Sequence, residues 1–241
     1  MIDLGVVGPG QTLEIIVSND TAKISRGNKT DSQHNADWDV LQVVSETLPL
    51  NWIGEDSQRY ENPLKARVIV SKDAPNGDYE FSFKAIDEFE EVAAESFSAR
   101  ARVTRDVLET TLLSEPVKTE PKTTAEYVVE IKNKGSASDV FQVTLESNTR
   151  AIKAERTLLV RHNSVATVRF SFETPERGEY PLTFTVTSQS SPNISKTIST
   201  HLFVGSNLAS DLKAAARGLL LFPTSQSAVY AILALIGNAL G

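Results

Sequence analysis

The residues with chemistry to offer are few, and they gather in three places. Between Asn19 and Asp39 the chain reads "DTAKISRGNKTDSQHNADW". Lys23, Arg26 and Lys29 make its first half basic, and Asp31, His34, Asp37 and Asp39 follow. Carboxylates beside a histidine are the donor types of a divalent-cation site. The spacing, however, lacks the turn glycine and closing glutamate of a calcium loop. A solvated loop is the plainer reading of the acids, and the three cations make the loop a candidate partner-binding element. The second place is "DEFEEVAAE", Asp87 to Glu95, where five acids suit a charged hairpin tip that keeps a sheet edge from aggregating. The third is aromatic. Trp38, Trp52 and Tyr60 are the rings that could stack on a sugar. Trp52 follows "LPLN" and is expected in a core, because tryptophan buries so much area. Trp38, at the end of the polar loop, is expected to be open.

His162 and His201 lie in strand-like surroundings, far in sequence from a serine or acid that could complete a triad. The 241 residues hold no cysteine, which excludes disulfides, thiolate metal sites and cysteine nucleophiles. No cofactor is expected. Net charge is −7, from 31 acids against 24 bases, so the chain has no electrostatic reason to track nucleic acid. With 40% hydrophobic and 23% charged residues it is a globular composition, long enough for two domains of about 100 residues.

The elements that must position these residues are written twice. "DAPNGDYEFSF" (Asp73 to Phe83) returns as "ETPERGEYPLTF" (Glu173 to Phe184). "DVLQV" at Asp39 returns as "DVFQV" at Asp139, and "TLEIIVSN" at Thr12 resembles "TAEYVVEIKN" at Thr124. Three echoes in one order mean tandem modules rather than a short-repeat solenoid. Inside each copy the period is two. Phe81, Phe83 and Ala85 alternate with Ser82 and Lys84; Leu182, Phe184 and Val186 do so in the second copy. Side chains two apart share one face of a strand, so each run has a buried and a wet face. Pro75 and Pro175 end pairing, Gly77 and Gly178 supply turns, and Tyr79 and Tyr180 can tie their hydroxyls back to nearby backbone. Recurrence in both copies favours structure over an active site.

The reading is all-β: two tandem immunoglobulin-like β-sandwiches over 1–106 and 107–206. Part of "RDVLETTLLSEPVKTEPKTT" is expected to be the first strand of the second module. "GQTLEIIVSN", "LPLNW" and "DAPNGDYEFSF" resemble the Ig-like modules found beside glycosidase catalytic domains and in prokaryotic, especially archaeal, surface proteins. They are also similar to cell-adhesion-related domains. The resemblance covers residues 1–206 and implies a non-catalytic module. It carries over no functional residue.

Residues 207–241 differ in kind. From Gly218 to Gly241 no residue is charged. The stretch from Asn207 to Phe222 reads as helical, and Pro223 to Ser227 interrupts the apolar run. Leu219, Leu220, Leu221, Phe222, Val229, Tyr230, Ile232, Leu233, Leu235 and Ile236 are the residues that would meet lipid. A membrane anchor is the expectation. A helical hairpin packed on the second sandwich or on a partner, and a lipid-surface or disordered segment, are the alternatives. Lys213 and Arg217 alone would place the sandwiches in the cytoplasm. Three glycosylation triplets, at Asn19, Asn28 and Asn193, tilt the other way. The N-terminus has neither the basic region nor the apolar run of a secretion signal, as expected of a cytoplasmic chain or of a fragment.

The function expected is a membrane-anchored, extracytoplasmic stalk or ectodomain that binds a protein partner or envelope component. The alternative is a glycan-binding module accessory to a glycoside-active enzyme, with Trp38 and Tyr60 as its stacking platform.

Overall fold

The computed structural model describes residues 1–18, 38–87, 94–148 and 152–205. Every regular element among them is a strand except one 3-10 turn at Ser45–Thr47. Seven strands come first: β1 (Ile2–Val7), β2 (Thr12–Val17), β3 (Val40–Val43), β4 (Ile53–Glu55), β5 (Leu64–Ile69), β6 (Gly77–Ile86) and β7 (Ala94–Val103). Eight follow: β8 (Leu108–Leu112), β9 (Val117–Thr119), β10 (Thr124–Asn133), β11 (Asp139–Ser147), β12 (Lys153–Val160), β13 (Ser164–Glu173), β14 (Gly178–Ser188) and β15 (Ser195–Val204). β8 and β9 both fall in the proline-bearing junction, where a first strand was expected.

The first seven strands form two sheets, ordered β1-β7-β6-β3 and β2-β5-β4. Their inward side chains meet in one core that holds Leu13, Leu41, Leu64, Phe81 and Phe83. The later strands form β13-β10-β8 and β12-β11-β14-β15-β9 around Tyr127, Phe141, Phe170 and Phe184. Two antiparallel sheets face to face, with a strand running parallel to the last one at the edge, make each half an Ig-like sandwich. The period of two predicts the packing: Phe81, Phe83 and Ala85 are buried, as are Leu182, Phe184 and Val186. Trp52 lies in the first core, its ring 5.2 Å from that of Tyr79 and 5.8 Å from that of Phe81.

The repeated turn closes in the same way twice. The Tyr79 hydroxyl donates to the Pro75 carbonyl at 3.0 Å, and the Tyr180 hydroxyl donates to the Glu176 carbonyl at 2.7 Å. In each case the acceptor lies four residues upstream of the tyrosine, which pins the corner before the strand.

The copies part at β4 and its counterpart β12. In the first, the short β4 pairs with β5. In the second, the longer β12 pairs instead with β11, from Asp139 opposite Val160 to Glu146 opposite Lys153. β5 therefore has a neighbour on each side, whereas β13, its counterpart, has only β10 among the described residues.

Among the described residues, no helix is long and apolar enough to cross a membrane. The expected helical, membrane-associated segment at 207–241, with all ten of its lipid-facing residues, lies outside them.

Candidate functional site: a locked junction and an open edge

The two sandwiches meet through the turn between β1 and β2. Gln11 is fully buried there. Its Nε2 donates to Asp139 Oδ2 at 2.7 Å, and its Oε1 accepts from the Gly8 N–H at 2.7 Å. Asp139, at 2% exposure, also accepts from Ser188 Oγ at 2.6 Å, from Ser190 Oγ at 2.7 Å and from the Val140 N–H at 2.7 Å. A buried carboxylate costs several kcal/mol unless its lone pairs are filled, and here four donors fill them. The backbone joins in, since the Ser136 N–H donates to the Val6 carbonyl at 2.6 Å. Side chains interlock as well. Ala137 of the second half belongs to the first core, and Val6 of the first packs on the second. Gly5 and Gly10 have φ of +78° and +75°, and a Cβ on either would run into Ser136 or Ser190. The halves are held as one body by polar bonds and by close approach.

Beside this junction lies an open groove of about 700 Å³. Glu14, Ile16 and Arg67 on the outer face of β2 and β5 form one wall, and Ser136, Ser138 and His162 form the other. Arg67 is 3.7 Å from Glu14 and in register with Glu55, so its charge is answered from within the sheet. His162 contributes its backbone, donating to Ser138 Oγ at 3.3 Å.

The open side of the second sandwich is the other distinctive feature. β13 spans ten residues. Its inward row is Ala166, Val168, Phe170 and Phe172, its outward row Val165, Thr167, Arg169 and Ser171. The direction of its backbone groups follows from β10. The Val128 N–H donates to Ser114 Oγ and the Val128 carbonyl accepts from the Leu113 N–H, so even residues of β10 face the β8 side. Odd residues of β10 then face β13, and their register partners are even. The N–H and C=O groups of Val165, Thr167, Arg169 and Ser171 therefore point to the bare edge. Phe172 and Ala166 are only partly buried, as expected of a core margin without its next strand.

Three other edges are blunted. β3 has its Leu41 N–H bound to Ser57 Oγ at 2.8 Å and its Val43 N–H bound to Asp56 Oδ1 at 2.7 Å. β1 carries a register shift between Asp3 and Val6. β12 places a charge, Arg156, at an inward position where it stays exposed. These are devices against edge-to-edge pairing. β13 has none of them: its inward row is apolar but for Ser164, and it contains no proline.

The residues singled out from sequence fare differently. Lys23, Arg26, Lys29, Asp31, His34 and Asp37 lie outside the described residues. Trp38 corrects its expectation. It is 5% exposed and part of the first core, so its indole has no face to offer a sugar. The physical reason is area: once the chain enters β3, a large ring gains more from the core than from water. Tyr60 is 60% exposed, at φ +60°, with its N–H donating to the Asp39 carbonyl at 2.8 Å. Asp39 and Asp87 are buried. Among the described residues no group of three or more histidines and acids is placed to hold a metal ion. His201 makes an exposed contact to Glu179 at 2.9 Å. The sequence reading missed both the Gln11–Asp139 bond and the β13 edge. The first had a signal, since "GPGQ" places two glycines and a polar residue before a strand.

No protein-family model matches the chain, and no curated protein matches it. Several solved structures are similar in part. One is the CARDB domain of a Pyrococcus furiosus protein, solved with two metal ions: identity is 17%, TM-score 0.34, with 42% of this chain and 90% of that one covered. A second comes from the complex of zinc 2-glycoprotein with prolactin-inducible protein from human seminal plasma. Identity there is 13%, TM-score 0.35, with 42% and 95% covered. A third is a β-glucosidase from Listeria innocua, at 20% identity and TM-score 0.31, where 41% of this chain matches 16% of the enzyme. The Ig-like assignment rests on the strand order.

Proposed function

We propose that the chain is a non-catalytic interaction protein. Two sandwiches, locked end to end, present strand edges to a protein partner, and the uncharged C-terminal segment holds them to a membrane on its extracytoplasmic side. The carrying observation is the pairing of a rigid junction with a long, unblunted strand edge. Main-chain groups on such an edge give affinity to an added strand, and the flanking side chains give specificity. The membrane part rests on composition: from Gly218 to Gly241 there is no charge, and an apolar end of that length left in water would be an aggregation hazard. The enclosed Trp38 removes the main support for glycan stacking.

A photo-crosslinking residue at Thr167, on the bare edge, and another at Glu130, away from it, test the reading in cells. Adducts from position 167 alone are expected, in the membrane fraction, with release on deletion of residues 207–241. Equal adducts from both positions, or none, would overturn edge recognition. Soluble recovery of the full chain would overturn the anchor.

A further inference from the structure

We infer that the strand recognised by the β13 edge is β13 of a second copy, paired antiparallel about a two-fold axis through Val168. The inference rests on the edge-recognition reading above and names its partner.

Three features of β13 lead there. The first is the face rule. The inward row of one copy must continue as the inward row of the other, because a one-residue slip sends apolar side chains to water. Only registers that oppose even to even and odd to odd satisfy it. The second is charge. β13 contains one cation, Arg169, and one acid, Glu173 at its end. Of the two longest face-matched overlaps, one is centred on Arg169 and sets that cation against itself, which is unfavourable. The other is centred on Val168 and runs from Ser164 to Phe172. It opposes Val168 to Val168, Ala166 to Phe170, Thr167 to Arg169, and Val165 to Ser171, with no like charges across the seam. Arg169 also brings its own counter-ion, Glu126, at 3.0 Å. The third is hydrogen bonding. Thr167 and Arg169 both direct their backbone groups outward, so in this register they form a doubly bonded pair, while Val168 forms the close non-bonded pair.

The product is a continuous six-stranded sheet, β8-β10-β13 followed by its symmetry mate in reverse. It gives the half-covered Ala166 and Phe172 a neighbour, and it is isologous, so it closes at two copies and does not propagate into a fibre.

The chain has no cysteine, so introduced thiols report without background. Full-length Thr167→Cys and Arg169→Cys chains, carrying different tags, are co-expressed and oxidised in mild detergent. Opposed residues in a bonded pair sit about 5.5 Å apart, within disulfide reach. The expected result is a mixed-tag disulfide dimer from the pair of variants and at least tenfold less dimer from either variant alone. Adding Thr167→Pro to the Arg169→Cys partner removes an outward N–H without touching the β10 ladder, and should abolish the dimer while leaving the melting curve in place. Equal cross-linking by single variants, or none from folded variants, overturns the inference. If cross-linking is absent while the Thr167 photo-adduct to another protein persists, the edge has a different occupant and only this inference falls. If both are absent, the edge-recognition reading falls too.

Discussion

Gln11 reaches out of the first sandwich and donates to Asp139 of the second at 2.7 Å, with both side chains buried. Each half has its own core, so each could unfold separately if this contact were lost. Gln11→Ala leaves Asp139 its two serine hydroxyls but strands the Gly8 N–H, and should cost about 1–3 kcal/mol. Asp139→Ala removes the acceptor shared by Gln11, Ser188 and Ser190 and should cost more. Urea unfolding followed by tryptophan fluorescence and by circular dichroism checks both. The wild-type chain should give coincident transitions, since both tryptophans lie in the first half, and Gln11→Ala should separate them. Coincident curves with an unchanged midpoint would count against coupling.

Gly10 makes the same junction testable through backbone geometry. At φ +75° any other residue pays about 1–2 kcal/mol for left-handed backbone, and a Cβ would also press on the Ser190 carbonyl. Gly10→Ala should therefore destabilise by more than the conformational term and loosen the two halves. Gly205→Ala is the control, because among the described residues its Cβ would meet nothing within 4 Å. Thermal melts that shift equally for both variants would contradict this account.

Tyr79 and Tyr180 tie the same corner in separate cores. Each hydroxyl removed by Tyr→Phe should cost about 1 kcal/mol. The double variant should show the sum, because the sites share no contact. Denaturant midpoints read this directly, and a strongly non-additive double variant would mean the corners communicate through the junction.

These corners were legible in advance because their cause is local: a proline, a glycine and a tyrosine within a few residues of one another specify a turn and a tie. Alternation likewise marked Phe83 and Phe184 as inward. Trp38 was misread because a ring at the end of a polar stretch looks open until β3 is placed over the core. The switch between β4 and β12 was hidden for a different reason. Whether "NWIGE" joins β5 or "ERTLLV" joins β11 is decided by competition between two sheet edges, which neither segment encodes alone. The Gln11–Asp139 bond joins residues more than a hundred positions apart, and no period reveals such a pair.

Tyr127 carries a pH dependence whose sign can be worked out. Burial raises its phenol above the usual 10.0, with the Val117 N–H at 3.4 Å opposing the shift. Its hydroxyl donates to the His201 carbonyl at 3.0 Å, a bond that needs the proton. The folded state thus holds the proton longer than the unfolded one. Stability is unaffected below the unfolded value near 10, and it falls as pH rises through and above it. Tyr127→Phe should remove this alkaline loss and, at neutral pH, cost about 1 kcal/mol for the missing hydroxyl. Subtracting the tyrosinate absorbance of folded Tyr127→Phe from that of the folded wild type should leave a single ring that titrates above the usual 10.0. A difference curve centred at or below 10.0 would mean that burial does not protect the Tyr127 proton.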